Sequence, residues 1–355
     1  MKKNALLLTF TAVVVSFFYS CVATSPATVK VMKPADIDVP GHIKRLGIVD
    51  RSHPDKSGKA LNVVEGMFSG ENAYQDKYSA NEAMAGMIFE LSKTERFTVY
   101  QIQGVNLTNN GSIGFSTLLN WDLIRELCEK NKVDALVVLE VFDTNKSLRW
   151  SNENQSIVKN GITQTQVINV VSMTVEVITG WRIYDPSTQK IVDEYRTRES
   201  RSSSAKGIST TDAESALPQY SMVVGELARK NGESYALRIA PVAMMVNRSF
   251  YTGGNPAMKD ARLFITNENY AEGAKIWQEV YKSAEKPKIR GRAAHNIAVA
   301  YEIDGQLDKA IEWAQKAVEA GNKSSKYYLR TLNQRKIDEE RAKKQMESME
   351  KTEGE

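Results

Sequence analysis

The chain has 355 residues with 47 basic and 43 acidic side chains, a formal charge of +4. That length allows two domains with real cores, and the even charge argues against a general binder of nucleic acid or anionic membranes. Two cysteines, Cys21 and Cys128, are too few for a disulfide framework.

The first predicted element is a leader. Met1-Lys2-Lys3-Asn4 precedes an apolar run from Ala5 to Phe18, followed by Tyr19-Ser20-Cys21. The run covers 14 residues, about 21 Å as a helix, whereas a bilayer core needs roughly 20 residues. Basic start, short apolar middle and small residue before cysteine resemble the bacterial lipoprotein signal. The resemblance implies a signal peptide at residues 1–20 and lipidation of Cys21 as the mature N-terminus. It also implies a lipid-anchored place in the cell envelope, with the outer membrane favoured and the leaflet open. Plain secretion, with a cut after Cys21-Val22-Ala23, is the alternative. Losing Lys2 and Lys3 brings +4 to +2 and leaves Cys128 as a single thiol, expected to be buried on a helix. Residues 21–41, with Pro26, Pro34 and Pro40, show no period and are expected to be an extended tether.

Residues 42–253 alternate strand-like and helix-like segments, which predicts an α/β domain with a mixed sheet and packed helices. His42 to Val49 forms a first strand, ending in the loop Asp50-Arg51-Ser52-His53-Pro54-Asp55. A helix follows from Ser79, with Glu82 completing a capping box, and Met84, Met87, Ile88 and Leu91 form its buried stripe. Arg96 to Tyr100 is the next strand. A second helix begins near Asn120, with Trp121, Ile124 and Cys128 on one side. Val133 to Phe142 is almost wholly apolar, as for a strand covered on both faces. From Val171 to Ile183 apolar residues alternate with polar ones, the pattern of a half-exposed strand. Tyr184 to Gln189 turns it back, and Lys190 to Thr197 pairs with it. Arg198 to Asp212 is Ser-rich and expected to be mobile. A helix from about Ser215 to Leu237 leads to a last strand, Ala240 to Phe250.

Arg96-Phe97-Thr98-Val99, Val133-Asp134-Ala135-Leu136-Val137 and Trp181-Arg182-Ile183-Tyr184-Asp185-Pro186 resemble the small envelope domain of the translocation protein TolB, curli-secretion lipoproteins and activators of peptidoglycan synthases. That likeness implies a fold and leaves function open.

Residues 254–333 are expected to be an all-α array. Ala294, Ile297, Ala298, Tyr301, Gly305, Leu307, Ala310, Ala314 and Ala317 stand at tetratricopeptide-repeat spacing, with small residues where two helices approach. Ala261, Phe264, Tyr270, Gly273 and Trp277 form a weaker copy before it. A helix from Ser325 caps the stack, and residues 334–355 are expected to be a solvated helical tail with pairs such as Glu339 with Lys343. The resemblance implies that protein or peptide partners meet the first helices, at Arg292, His295, Asn296, Val299 and Glu302. A purely packing role is the alternative. Taken whole, the chain resembles uncharacterised lipoproteins of the Bacteroidota with this domain order, a family that supplies no catalytic residues.

The residues suggest no enzyme, metal or cofactor. No HExxH, Gly-rich phosphate loop or GxSxG occurs. His53 beside Asp50 and Asp55 could bind a metal or merely belong to a solvated turn. Arg196 and Arg198 share one strand face and could hold an anion, or pair with carboxylates. The expected function is a membrane-anchored scaffold that binds through its repeats. The alternatives are an envelope assembly or secretion factor working through the α/β domain, and a hydrolase.

Overall fold

The computed structural model describes residues 23–53, 70–109 and 114–347. The leader, Cys21, Asp55 and Lys351 lie outside the described residues. Two compact units are present, Val31–Met244 with Arg335–Glu355, and Met1–Lys30 with Met245–Gln334.

The expected tether is corrected at once. Strand β1 (Thr24–Lys33) pairs with the last strand, β7 (Val242–Tyr251), in a two-stranded sheet. Ala27 and Val29 point inward while Thr24, Pro26, Thr28 and Lys30 are exposed. The period of two was hidden because Ala27 is small and Pro26 breaks the run, although proline is compatible with an edge strand.

The α/β unit holds a five-stranded sheet in the order β3-β2-β4-β5-β6. Strands β2 (Arg45–Asp50), β3 (Thr98–Gln101) and β4 (Ala135–Lys159) are parallel, and β5 (Ile162–Asp185) and β6 (Lys190–Gly207) are antiparallel additions. Helices α1 (Gly70–Leu91) and α4 (Tyr220–Ile239) cover one face, and α2 (Trp121–Asn131) covers the other. This layering explains the apolar run of β4. Ala135, Val137 and Leu139 enter the core with α1 and α4, whereas Leu136 and Val138 enter the core with Ile124 and Leu127 of α2. Asn120 caps α2, its side chain accepting from the Asp122 N–H at 2.7 Å.

Several boundaries differ from expectation. Helix α1 starts at Gly70, so Ser79 is a buried interior residue rather than a cap. The Ser-rich stretch is not mobile loop but the end of β6, where Ser204 and Ser202 meet Ser172 and Thr174 of β5 at 2.8 Å. A short helix α3 (Thr210–Ser215), capped by Ser209, and Pro218 separate β6 from α4. Strands β4 and β5 run far past the core as an arm, turning at Asn160 and Gly161 with φ of 54° and 76°. Those positive angles suit the two-residue hairpin turn that Asn-Gly favours.

The helical unit contains α5 (Pro256–Asp260), α6 (Arg262–Thr266), α7 (Tyr270–Ser283), α8 (Pro287–Ile303), α9 (Leu307–Glu319) and the first part of α10 (Lys323–Glu347). Trp277, Ala294, Ile297, Ala298, Ala310, Ala314 and Ala317 are buried, and Gly305 turns the chain at φ 74°. A Cβ on Gly273 would lie 2.9 Å from the Trp277 ring, so the glycine admits the indole. Tyr301, Leu307, Phe264 and Tyr270 are only half-buried. Cap and tail form one helix. Arg335, Ala342 and Gln345 are buried, and Gln345 bonds both the N–H and the C=O of Ala35. Residues 335–347 of the expected tail therefore pack one face into the α/β unit.

Candidate functional site

The five residues expected to meet a partner lie together on α8, but mostly beneath other parts of the chain. Asn296, Val299 and Glu302 are fully buried, His295 nearly so, and Arg292 is half-buried. Expecting them at the surface is corrected, because β7 lies over this face. The Asn296 amide accepts from the Tyr251 N–H at 2.7 Å and donates to the Tyr251 carbonyl at 2.8 Å. Glu302 accepts from Arg248 at 2.7 and 2.8 Å and from the Tyr328 hydroxyl at 2.6 Å. His295 sits between Ser325 (2.9 Å) and the Ser249 carbonyl (3.1 Å), and Arg292 donates to the Gly253 carbonyl at 3.0 Å. Burial pushes the His295 imidazole down to about 4, so the ring is neutral at pH 7.

Each of these bonds is of the kind a peptide receptor makes to an extended ligand: an amide to a backbone pair, a carboxylate to an arginine. The chain supplies that extended segment itself. An open cleft of about 430 Å³ remains beside it, lined by Thr24, Asn247, Arg248, His295, Val299 and Tyr328 among others. Of its polar side chains, Arg248 and Tyr328 are held by Glu302, and His295 by Ser325 and the Ser249 carbonyl.

In the α/β unit the expected loop brings two of its three residues together. Asp50 and His53 are 3.0 Å apart, and Asp50 also accepts from the Ser52 N–H and hydroxyl at 2.8 and 2.7 Å. Burial favours protonation of Asp50, but the bonds from His53 and Ser52 outweigh it and hold the carboxyl below its ordinary range. Among the described residues no group of three or more His, Cys, Asp or Glu side chains could hold a metal. Arg196 lies over the Phe115 ring, and Arg198 donates to Glu176 at 3.2 Å. The pair is spent on separate neighbours instead of converging on an anion.

Beside this loop lies a buried ionic cluster that the sequence reading missed. The ladder between β4 and β5 shifts register between Leu139 and Val141, so Glu140 is the bulged residue. A bulge re-aims one side chain, and here Glu140 is wholly buried. It meets Arg182 at 3.0 Å, Arg51 at 3.2 Å and the Tyr184 hydroxyl at 2.7 Å. Arg51 also donates to the carbonyls of Thr108 and Thr117. Burial opposes the Arg182 charge, yet its bonds to Tyr184 and Glu194 carry its pKa above the ordinary arginine value. The cluster pins two loops to the sheet, and all its charges are answered. The only sequence signal was a carboxylate inside an otherwise apolar strand.

One further trio has the residue types of a hydrolase. His42 Nε2 lies 3.1 Å from both Asp185 and Ser187, while the Ser187 hydroxyl bonds Asp185 directly at 2.7 Å. A relay needs the two ring nitrogens to face different partners. Here one nitrogen faces both, and the serine is already held by the carboxylate. Cys128 is buried, and burial pushes its thiol up to about 12, far from a reactive thiolate.

Residues 43–251 match the family model described as "Domain of unknown function (DUF8603)", and residues 259–347 match that described as "Domain of unknown function (DUF6340)". No curated protein matches the chain. Among solved structures, it is similar to a neuraminyllactose-binding hemagglutinin homolog from Helicobacter pylori at 12% identity and a TM-score of 0.24, covering 57% of this chain and 85% of that one. A minor lipoprotein from Acinetobacter baumannii gives 10% and 0.21, covering 55% and 94%. The PelC dodecamer from Paraburkholderia phytofirmans gives 12% and 0.20, covering 60% and 99%. Likenesses this weak say nothing of what the chain binds or how it assembles.

Proposed function

We propose, for a chain that belongs to the DUF8603 family of domains of unknown function, a non-catalytic role as a lipid-anchored interaction protein of the cell envelope. Its partner is taken by the arm of the α/β unit. The helices of the other unit form a tetratricopeptide-like layer whose inner face is used internally.

The observation that carries this reading is the edge of β4. Strand β2 pairs with β4 only from Ala135 to Leu139. From Val141 to Lys159, among the described residues, β4 is paired on one side by β5 alone. Such an edge presents unpaired backbone groups, a template for strand addition by another protein. Ser147, Arg149, Ser151 and Glu153 beside it are exposed and hydrophilic, which suits an edge kept soluble until a partner arrives. The non-catalytic part is supported by histidines that are each engaged and by charged clusters that satisfy themselves. The anchor is supported by the Lys2-Lys3 start, the short apolar run and Ser20-Cys21.

Photocrosslinking residues placed singly at Ser151 on the arm and at Glu312 on α9 test the surface in living cells. Adducts from Ser151 are expected. Adducts from Glu312 alone would return binding to the helices. Mass spectrometry of the purified N-terminus should find an acylated Cys21, and Cys21→Ser should move the protein to the soluble fraction. An unmodified Thr24 start would sink the anchor.

A further inference from the structure

We propose that one end of the helical unit, carrying Lys286, Lys288, Arg290, Lys323 and Lys326, is a contact surface for anionic lipid headgroups beside the anchor. The proposal rests on the lipidated Cys21 just argued.

The geometry starts from the described part of the expected tether, which is strand from Thr24. Ala23 is already fixed, its carbonyl accepting from the Thr252 N–H at 2.9 Å. One residue, Val22, separates Cys21 from Ala23, so the two Cα steps between them reach at most about 7 Å. An acylated Cys21 therefore holds the surface around Ala23 against the headgroups. That surface can be followed residue by residue. A Cβ on Gly253 would touch the Ala23 Cβ at 3.3 Å, and the Gly253 carbonyl accepts from Arg292 in the first turns of α8. Asn322 donates to the Gly291 carbonyl at 3.2 Å, which brings the start of α10 to the same end.

The side chains there are basic. Lys286, Lys288, Arg290, Lys323 and Lys326 are exposed, and among the described residues none of them is paired with a carboxylate. Glu285 and Glu319 are exposed acids at this end, fewer than the basic residues, and Glu279 is engaged by Lys282 at 2.9 Å. Local folding gives no reason for this arrangement. Lys288 and Arg290 stand in the first turn of α8, where the helix dipole favours anions instead. The opposite end carries Glu268, Asp304 and Asp308 with Lys309, and Glu272 paired with Lys275 at 2.6 Å. The near-neutral total thus conceals a polar unit whose basic end coincides with the anchor. Basic residues near an anionic surface add an electrostatic attraction to the hydrophobic one of the anchor. The range of that attraction, about 8 Å at physiological salt, matches the reach from Cys21.

The test uses the mature chain with Cys21→Ser, so that no lipid contributes. Sedimentation is measured with vesicles of phosphatidylcholine alone and of phosphatidylcholine mixed with phosphatidylglycerol, at low and high salt. Binding is expected only to the mixed vesicles and only at low salt. The combination Lys286→Ser, Lys288→Ser and Arg290→Ser should weaken it by roughly tenfold or more. Removing as much charge from β6, with Arg198→Ser, Arg201→Ser and Lys206→Ser, should leave it unchanged. Circular dichroism melting checks that both variants fold. No binding by the parent, equal binding to neutral vesicles, or equal loss in the two variants would overturn the proposal. The anchor is judged separately by the mass of the N-terminus, so failure of one reading is distinguishable from failure of the other.

Discussion

Asn296 and Glu302 behave as internal ligands. Asn296→Ala would leave the Tyr251 N–H and C=O without partners in a half-buried place, and Glu302→Ala would strand Arg248. Unsatisfied buried groups cost about 1–3 kcal/mol, and a stranded charge costs more. Arg248 keeps 15% of its side-chain exposure, so each substitution should cost about 2–3 kcal/mol. Urea unfolding measures this, and a double variant as stable as the parent would show that β7 is loosely held. His295 adds a pH dependence of known sign. The folded ring titrates near 4 against about 6.5 when unfolded. Between those values the unfolded chain binds the extra proton. Stability from this group is complete above about pH 6.5 and is lost as pH falls toward 4, by about 3 kcal/mol in all. His295→Gln should flatten the urea midpoint across that window. A Gln variant as pH-sensitive as the parent would assign the slope to other groups.

Helices α1 and α4 meet backbone to backbone. A Cβ on Gly232 would lie 1.8 Å from the Ala83 carbonyl oxygen, and one on Gly86 would lie 2.0 Å from that of Arg229. Neither oxygen belongs to a flexible side chain, so Gly232→Ala must push the helices apart. A loss of about 3 kcal/mol or more is expected in chemical denaturation, whereas Gly225→Ala, with no neighbour closer than 3.7 Å, should be nearly neutral apart from propensity. Elements of this kind were largely legible, because α2, β4 and α8 carry their periods in local sequence. The arm was legible in part: Asn160-Gly161 is a hairpin signal, but the serines and asparagines flanking it disguise the strands. What the repeat spacing could identify was which side of α8 faces inward from the array. It could not identify what covers that side, since the bond between Tyr251 and Asn296 leaves no local pattern. Glu140 was hidden for a similar reason, its partners Arg51 and Arg182 being remote along the chain.

At the level of the whole molecule, the two units are each assembled from separated stretches. Residues 335–347 complete the α/β unit through Gln345 and the Ala35 backbone. A chain ending at Gln334 should therefore melt lower, by roughly 5 °C, with the loss seen in the α/β signal. An unchanged melting profile would make the end of α10 dispensable. The interleaving also sets an order of events during synthesis. Strand β1 ends at Lys33 and its partner β7 begins at Val242, so the first strand made is among the last to be paired. At about 5–20 residues per second it waits on the order of 10–40 s with both edges open. During that interval the entire α/β region between them is emerging, and an early, unpaired strand lies open to a wrong neighbour. Nascent chains halted before Val242 should accordingly be cleaved by protease near residues 24–30, and chains halted beyond Gln334 should resist.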